Sequence, residues 1–260
     1  ADPAVTRPLH FRGANRFKHI HIAEAYFDAD IILALPKFKT HGITYITGAV
    51  KLLFGAVPGM EKSKMHLRLP DHADFADYLL DLYGAMAHGF DPPKPMIHLM
   101  DAVWALEGEG PGQAGRPRRM NAVIAGADGV AVDWTAARLA GLDIEKAPTI
   151  IHGLERGYGA SCPADIQIKG EAMENLQMTD FVPATGDTLF ARTNQWPLNT
   201  RTFRNLFVER PMPRPDLCTL CHQCRKICPA GAIGPAETGK SIPAYDYGKC
   251  IRCYCCLEIC

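Results

Sequence analysis

The chain has 260 residues, with 28 basic and 28 acidic side chains, 47% hydrophobic residues and 22% charged residues. This composition excludes a disordered chain, because a polypeptide of this length and hydrophobic content buries a sizeable core. The balance of charge gives no electrostatic reason to expect binding to nucleic acid or to an anionic membrane surface. The longest apolar runs, residues 29–36 and 48–58, are far shorter than the roughly 20 residues that span a bilayer. We therefore expect a soluble protein without a membrane span.

The first part of the chain alternates short apolar runs with helical patterns, which predicts a layered α/β core domain. The predicted strands are residues 31–35, which we expect to be buried, 97–100, 121–125 and, more weakly, 166–168. The predicted helices are residues 75–86 with Asp71 as cap, a helix from Asp128 to Leu139 that Gly141 ends, and residues 147–156.

From residue 181 onward the pattern gives way to polar residues and to prolines, among them Pro211, Pro213 and Pro215. Proline restricts the chain to extended conformations, which favours a linker. We therefore expect an α/β core domain at residues 1–180, a proline-containing linker at 181–215 and a small cysteine-rich domain at 216–260.

Nine of the ten cysteines lie between residues 218 and 260, and they repeat one spacing twice. Each repeat reads Cys-x2-Cys-x2-Cys-x3-Cys, which is typical of a bacterial ferredoxin with two 4Fe-4S clusters. In that pattern the fourth cysteine of each repeat binds the cluster of the other repeat. One predicted ligand set is therefore Cys218, Cys221, Cys224 and Cys260, and the other is Cys250, Cys253, Cys256 and Cys228. These repeats predict a small α+β ferredoxin-like domain.

Zinc is the alternative metal, since paired CxxC sequences can also supply four thiolate ligands. Two triplets of cysteines, each followed by a fourth, exceed what tetrahedral zinc needs, which favours iron–sulfur clusters. Cys255 and Cys162 lie outside both ligand sets. We expect Cys255 to be a small buried residue beside a cluster, and Cys162 to be structural rather than nucleophilic.

A stretch rich in lysine and hydroxyl groups follows the strand predicted at residues 31–35. The predicted anion-binding residues in it are Lys37, Lys39, Thr40, Thr47 and Lys51. Ligands bind at the carboxyl ends of strands in open α/β sheets, and a helix start with nearby lysines suits a phosphate or a carboxylate. The alternative is a solvated loop, in which lysine is common.

Three further side chains are candidates for catalytic proton transfer, namely His41, Asp101 and Glu107. The glycine-rich residues 108–112 come next, but Pro111 and the lack of an immediate helix argue against a dinucleotide-binding loop.

Asp128 and Asp133 are weaker candidates for a metal or acid–base role. Asp128 also suits the cap of the helix that follows it.

Several stretches, taken in order, resemble the domain-of-unknown-function family 362, in the variant with a C-terminal two-cluster ferredoxin module. They are residues 35–41, 47–55, 107–111, 128–133 and 250–256. The resemblance covers roughly residues 25–160 and 216–260, and it implies iron–sulfur redox work without naming a substrate. Members usually carry a further N-terminal α/β segment, and a proline with a short tail after the last cysteine. We therefore expect a chain that is shortened at both ends.

Together these features predict an iron–sulfur oxidoreductase or an electron-transfer component of one. Electrons would pass through two 4Fe-4S clusters to a redox partner protein or to an anionic small-molecule substrate at the α/β core. Two alternatives are a pure electron carrier with a docking domain, and a metal or acid–base enzyme with structural clusters. Because oxygen degrades such clusters and oxidises their thiolates, we expect a cytoplasmic protein of anaerobic metabolism.

Overall fold

The computed structural model describes residues 5–58, 61–62, 65, 68–69, 71–110, 115–160, 163–185, 210–228, 230–250, 256 and 260. The chain divides into two compact units, residues 1–58 with 68–186 and residues 59–67 with 187–260. Within the described ranges, no helix is long and apolar enough to cross a membrane.

The described part of the first unit forms a hairpin and a five-stranded mixed sheet. Its strands are β1 (Thr6–His10), β2 (His19–Ala23), β3 (Ile32–Ala34), β4 (Lys37–His41), β5 (Tyr45–Thr47), β6 (Met96–Gly108) and β7 (Gly115–Gly126). β1 and β2 pair antiparallel in the hairpin. In the sheet, β3 and β4 both lie parallel to β6, while β5 pairs antiparallel with β4 and β7 antiparallel with β6.

Helices of the first unit complete the α/β architecture that the sequence predicts. They are α1 (Ala25–Asp28), α2 (Ala49–Leu52), α3 (His72–His88), α4 (Gly129–Leu139), α5 (Pro148–Glu155) and α6 (Met173–Leu176), with 3-10 turns at Leu53–Ala56, Ile144–Lys146 and Pro163–Asp165. The predicted caps of α3 and α4 are confirmed. The Asp71 carboxylate accepts hydrogen bonds from the first turn of α3, and the Asp128 carboxylate does the same for α4.

The core lies on one face of the sheet. Phe38 and Met100 of the sheet share a buried cluster with Val132 and Ala136 of α4 and with Ile150 of α5. The apolar area removed from water between these elements is the main contribution to the stability of the unit.

The opposite face of the sheet is open. Leu33 and Ile97 are neighbours in register, and both are exposed. The strand predicted at residues 31–35 is therefore right in position. This strand is buried on one face only, because no described helix covers its odd-numbered side chains.

Two other expectations need correction. Residues 166–168 form no strand, because they pair with no described strand and lie mostly exposed in an irregular segment. Residues 37–41, for which a solvated loop was the alternative to an anion site, form strand β4. Side chains alternate along this strand, so Phe38 and Thr40 are buried whereas Lys37 and Lys39 are partly exposed.

The second unit has a small α+β arrangement, as predicted. Its described elements are α7 (Gln223–Ile227), β8 (Ile233–Ala236) and β9 (Pro243–Tyr245), with β8 and β9 paired antiparallel. The predicted linker at residues 181–215 lies partly outside the described residues, and its bounds remain a prediction.

Candidate functional site

Seven of the eight predicted cluster ligands fall within the described residues. All seven are free thiols, namely Cys218, Cys221, Cys224, Cys228, Cys250, Cys256 and Cys260. Cys253 lies outside the described residues, as do Cys255 and Cys162. Cysteines outside disulfides can bind a metal ion once their thiols are deprotonated.

Two residues of the first repeat have a left-handed backbone conformation. Leu220 and His222 adopt φ of 54° and 58°, the left-handed region that residues other than glycine rarely enter. Left-handed residues between right-handed ones turn successive N–H groups toward one concave side, and such nests hold iron–sulfur clusters and phosphates. Two strained residues between three cysteines fit a loop that wraps an anionic cluster.

Backbone amides also support individual sulfur atoms in this repeat. The N–H of Ala232 donates to Sγ of Cys228 over 3.3 Å. The pKa of the Cys221 thiol is lowered mainly by a hydrogen bond from the backbone of Gln223. A hydrogen bond from the side chain of Thr219 lowers this pKa further. Both contacts favour the thiolate, which is the form that binds metal.

Tyr245 of β9 connects the two repeats. Burial raises the pKa of its hydroxyl, and a hydrogen bond with Cys224 and the charge of Cys256 raise it further. One phenol therefore lies beside a ligand of each repeat. This donor set of soft thiolates, with amides directed at sulfur, fits 4Fe-4S clusters.

In the first unit, the structure brings three of the predicted anion-binding residues together. Lys39 of β4 pairs directly with Thr47 of β5, so their side chains share a face of the sheet. Lys51 of α2 donates to the hydroxyl of Thr47 over 3.4 Å. Lys39, Thr47 and Lys51 are called the β4–β5 cluster below.

The other two predicted anion ligands have different partners. Lys37 forms an ion pair with Asp101 at 2.8 Å, and this hydrogen bond is the main cause of the lowered pKa of Asp101. Thr40 is buried, and its hydroxyl donates to the Leu106 carbonyl over 3.2 Å. The β-strand alternation of β4 places Thr40 on the opposite face from Lys39.

Asp133 joins two stretches of sequence that lie far apart in the chain. Its buried carboxylate accepts hydrogen bonds from the N–H groups of Ala49 at 2.5 Å and Val50 at 3.1 Å, at the start of α2. Gly48 makes this approach possible, because a Cβ there would lie 2.0 Å from an oxygen of Asp133. Burial raises the pKa of Asp133 to about 7, although the two N–H groups act against that rise. Asp133 therefore anchors the helix that bears Lys51.

Comparison with known proteins identifies both units. The model of the family described as domain of unknown function (DUF362) matches residues 2–138, which is more than half of the chain. The chain belongs to the DUF362 family. A 4Fe-4S binding domain model matches residues 211–234, which include the first cysteine repeat. The C-terminal unit therefore binds a 4Fe-4S cluster, and its role is iron–sulfur electron transfer.

One curated relative is a thylakoid-associated protein of Synechocystis sp. It is 32% identical over 149 residues, which make up 55% of this chain and 44% of that protein. The chain thus spans less than half of that relative's length. No solved structure matches the chain significantly.

The acidic residues of the glycine-rich stretch hold a later segment of this DUF362 chain. Glu107 is buried, and its carboxylate accepts a hydrogen bond from the N–H of Val182 over 3.1 Å. Glu109 accepts hydrogen bonds from both the N–H and the hydroxyl of Thr185. Gly108 adds a bond from its N–H to the Val182 carbonyl. Residues 107–109 thereby fix the end of the first unit.

His41 closes the turn between β4 and β5. Its Nδ1 accepts hydrogen bonds from the N–H groups of Ile43 and Thr44, at 3.0 and 3.2 Å. Because the turn occupies Nδ1, any proton exchange by this ring would use Nε2. His41, Asp101 and Glu107 therefore each have a structural contact, and their catalytic role stays a prediction.

Sequence reasoning missed a buried ionic contact at Asp81. Its fully buried carboxylate accepts hydrogen bonds from the N–H groups of Asn15, Arg16 and Phe17 and from the guanidinium of Arg156. The sequence did carry one signal of this contact, because Asp81 is a charged residue within the mainly apolar pattern of the helix predicted at residues 75–86. This contact fixes the loop between β1 and β2 against α3.

Proposed function

We propose that this DUF362 chain passes electrons through two 4Fe-4S clusters to an anionic substrate or partner protein that binds at the β4–β5 cluster. The observation that supports it most directly is the second cysteine repeat, which copies the spacing of the repeat matched by the 4Fe-4S model. Cys218, Cys221, Cys224 and Cys260 would hold one cluster, and Cys250, Cys253, Cys256 and Cys228 the other. When bound, the clusters supply one-electron redox chemistry.

The protein's own groups would tune and protect these centres. The left-handed residues Leu220 and His222 would turn N–H groups toward a cluster, and the N–H of Ala232 donates to Sγ of Cys228. The hydroxyl of Tyr245, placed beside Cys224 and Cys256, would donate a hydrogen bond to a thiolate. Hydrogen bonds to sulfur raise the reduction potential of such clusters.

The contacts of the acid–base candidates favour a binding role for the first unit over the alternative of a metal or acid–base enzyme. Asp101 is paired with Lys37, and Glu107 is bound to the backbone of Val182. The buried carboxylate of Glu107 is thereby withheld from a substrate, whereas Asp101 is exposed and held by a surface ion pair. A binding role needs only the β4–β5 cluster, with ammonium and hydroxyl donors on one face.

Removing a lysine of the β4–β5 cluster should weaken anion binding. Lys39→Ala or Lys51→Ala should each reduce the affinity for inorganic phosphate by about 1.5–3 kcal/mol, because each change removes a charge-assisted hydrogen bond. This loss corresponds to roughly ten- to a hundredfold in Kd. Isothermal titration of the anaerobic, cluster-loaded chain measures it.

Lys18→Ala is the matched control, since Lys18 is an exposed lysine of the same unit outside the β4–β5 cluster. Its phosphate affinity should equal that of the parent, as should the iron content of all three variants. Equal phosphate binding by Lys39→Ala, Lys51→Ala and the parent would show that the β4–β5 cluster is a solvated surface.

A cytoplasmic location and a role in low-oxygen metabolism belong to the same proposal, because both follow from the sensitivity of such clusters to oxygen. The relative from Synechocystis sp. is named for its association with thylakoids. Fractionation of native cells under anaerobic conditions tests the location. Recovery of this protein in the membrane fraction would contradict it.

A further inference from the structure

The outward face of the β1–β2 hairpin carries three histidines that the proposed function does not use. His10 of β1 lies directly opposite His19 of β2, and His21 follows two residues further along β2, opposite Pro8. All three are exposed, whereas the residues next to them in the strands, Leu9, Ile20 and Ile22, are buried. The alternation of the strands therefore directs the three imidazoles to the same side.

Two of these rings already have a spacing that suits a metal ion. Nδ1 of His10 and Nδ1 of His19 lie 3.2 Å apart, and the ring centroids lie 4.3 Å apart. Two nitrogen ligands at about 2.0–2.1 Å from a tetrahedral zinc ion are separated by a similar distance. A divalent ion can thus replace the hydrogen bond between the two rings with a small rotation of each.

His21 is placed to supply a third nitrogen. It is the diagonal neighbour of His10 across the hairpin, and diagonal side chains start roughly 7–8 Å apart, within reach of long side chains. Among the described residues, no three His, Cys, Asp or Glu side chains already surround one point. His21 must therefore turn to another rotamer, which an exposed ring does at low cost.

The hairpin is rigid enough to hold such ligands. The Asp81 carboxylate binds the N–H groups of Asn15, Arg16 and Phe17 in the connecting loop, and Arg156 holds Asp81 in turn. This anchor fixes the register that sets His10 opposite His19. A metal site on fixed strands loses little entropy when the ion binds.

We propose that His10, His19 and His21 form a transition-metal site that binds zinc or a similar borderline ion through three imidazoles. Imidazole is a preferred ligand of zinc, copper and nickel. Three protein ligands leave a coordination position open for water or another small ligand. The site lies in the first unit and uses none of the cluster cysteines.

The test is zinc binding by the full chain with its iron–sulfur clusters loaded under anaerobic conditions. The parent should bind one Zn²⁺ in addition to its iron, and X-ray absorption at the zinc edge should show imidazole nitrogen ligands. His10→Ala, His19→Ala and His21→Ala should each lower the zinc affinity at least tenfold, which is about 1.4 kcal/mol. All three side chains are exposed, so these variants should fold like the parent.

His72→Ala is the control, because His72 is exposed at the start of α3, outside the hairpin. Its zinc affinity should match that of the parent. Sulfur ligands at the zinc edge would overturn the proposal, because they would place the ion on cysteines. Unchanged affinity in any of the three hairpin variants would overturn the three-imidazole site.

Discussion

Replacing Cys228 with Ser should remove one of the two proposed clusters, and iron should fall from about eight to about four atoms per chain. Cys260→Ser should cause the same loss. Each change removes one of four thiolates from a cluster, and a serine hydroxyl is a harder, less readily ionised ligand. Iron and sulfide analysis of anaerobically purified protein measures the result.

Pairs of substitutions test which repeat each fourth cysteine serves. Cys228 follows directly on α7, the helix that carries Cys224, yet the crossed pattern assigns it to the second repeat. Cys228→Ser with Cys250→Ser should then damage the same cluster and leave about four iron atoms. Cys228→Ser with Cys218→Ser should damage both clusters and leave almost none. The reverse outcome would show that each repeat binds its own cluster.

Cys255→Ser is the matched control in the same segment, and it should leave the iron content unchanged. Iron loss there equal to that of Cys228→Ser would show that the assigned ligand set is wrong. Zinc in place of iron after anaerobic reconstitution would contradict the cluster assignment for both repeats.

The first cysteine repeat and the helix caps could be predicted from sequence because their signals are local. The ligands of the first repeat lie within a few residues of one another, and Asp71 and Asp128 cap the helices that follow them directly. In such cases the spacing along the chain fixes the geometry.

Contacts between distant residues could not be predicted in the same way. Asp133 binds the N–H of Ala49 across 84 residues, and Glu107 binds the N–H of Val182 across 75. Both contacts depend on how strands pair and how α4 packs on the sheet, which no local pattern encodes. The sequence therefore indicated these carboxylates but not the backbone groups that they hold, and a catalytic role for Glu107 stays a prediction.

The strand register also explains why only part of the lysine-rich stretch joins the β4–β5 cluster. Alternation along β4 puts Lys37 and Lys39 on one face and Thr40 on the other. Pairing with β5 then joins Lys39 to Thr47, and pairing with β6 places Lys37 beside Asp101.

The stability of the first unit should depend on pH through Asp133. Burial raises the pKa of this carboxyl from 3.8 to about 7 in the folded state. The folded protein therefore binds the proton more tightly than the unfolded chain does between these values. This preferential proton binding stabilises the folded unit fully below about pH 4, and the stabilisation is lost as the pH rises through about 7. The total change in unfolding free energy is about 4 kcal/mol.

Asp133→Asn isolates this effect, because the amide has the same shape and does not titrate. The parent should lose about 2 kcal/mol of unfolding free energy relative to the variant between about pH 5.5 and pH 8.5. This interval avoids the acid lability of the clusters. Urea unfolding at several pH values, followed by circular dichroism, measures the difference in free energy.

Gly48→Ala provides an independent check on the same contact. The added Cβ would lie 2.0 Å from Oδ1 of Asp133, so the carboxylate must move away from the N–H groups of Ala49 and Val50. Such overpacking costs about 1–3 kcal/mol, and the two N–H groups at the start of α2 lose their acceptor. Gly55→Ala is the control, since a Cβ at that nearby glycine would meet nothing within 4 Å.

The pH experiment would contradict the raised pKa if the parent and the Asp133→Asn variant had parallel profiles of unfolding free energy against pH. Asp133 would then be ionised throughout this range, because the N–H groups at the start of α2 would outweigh the effect of its burial.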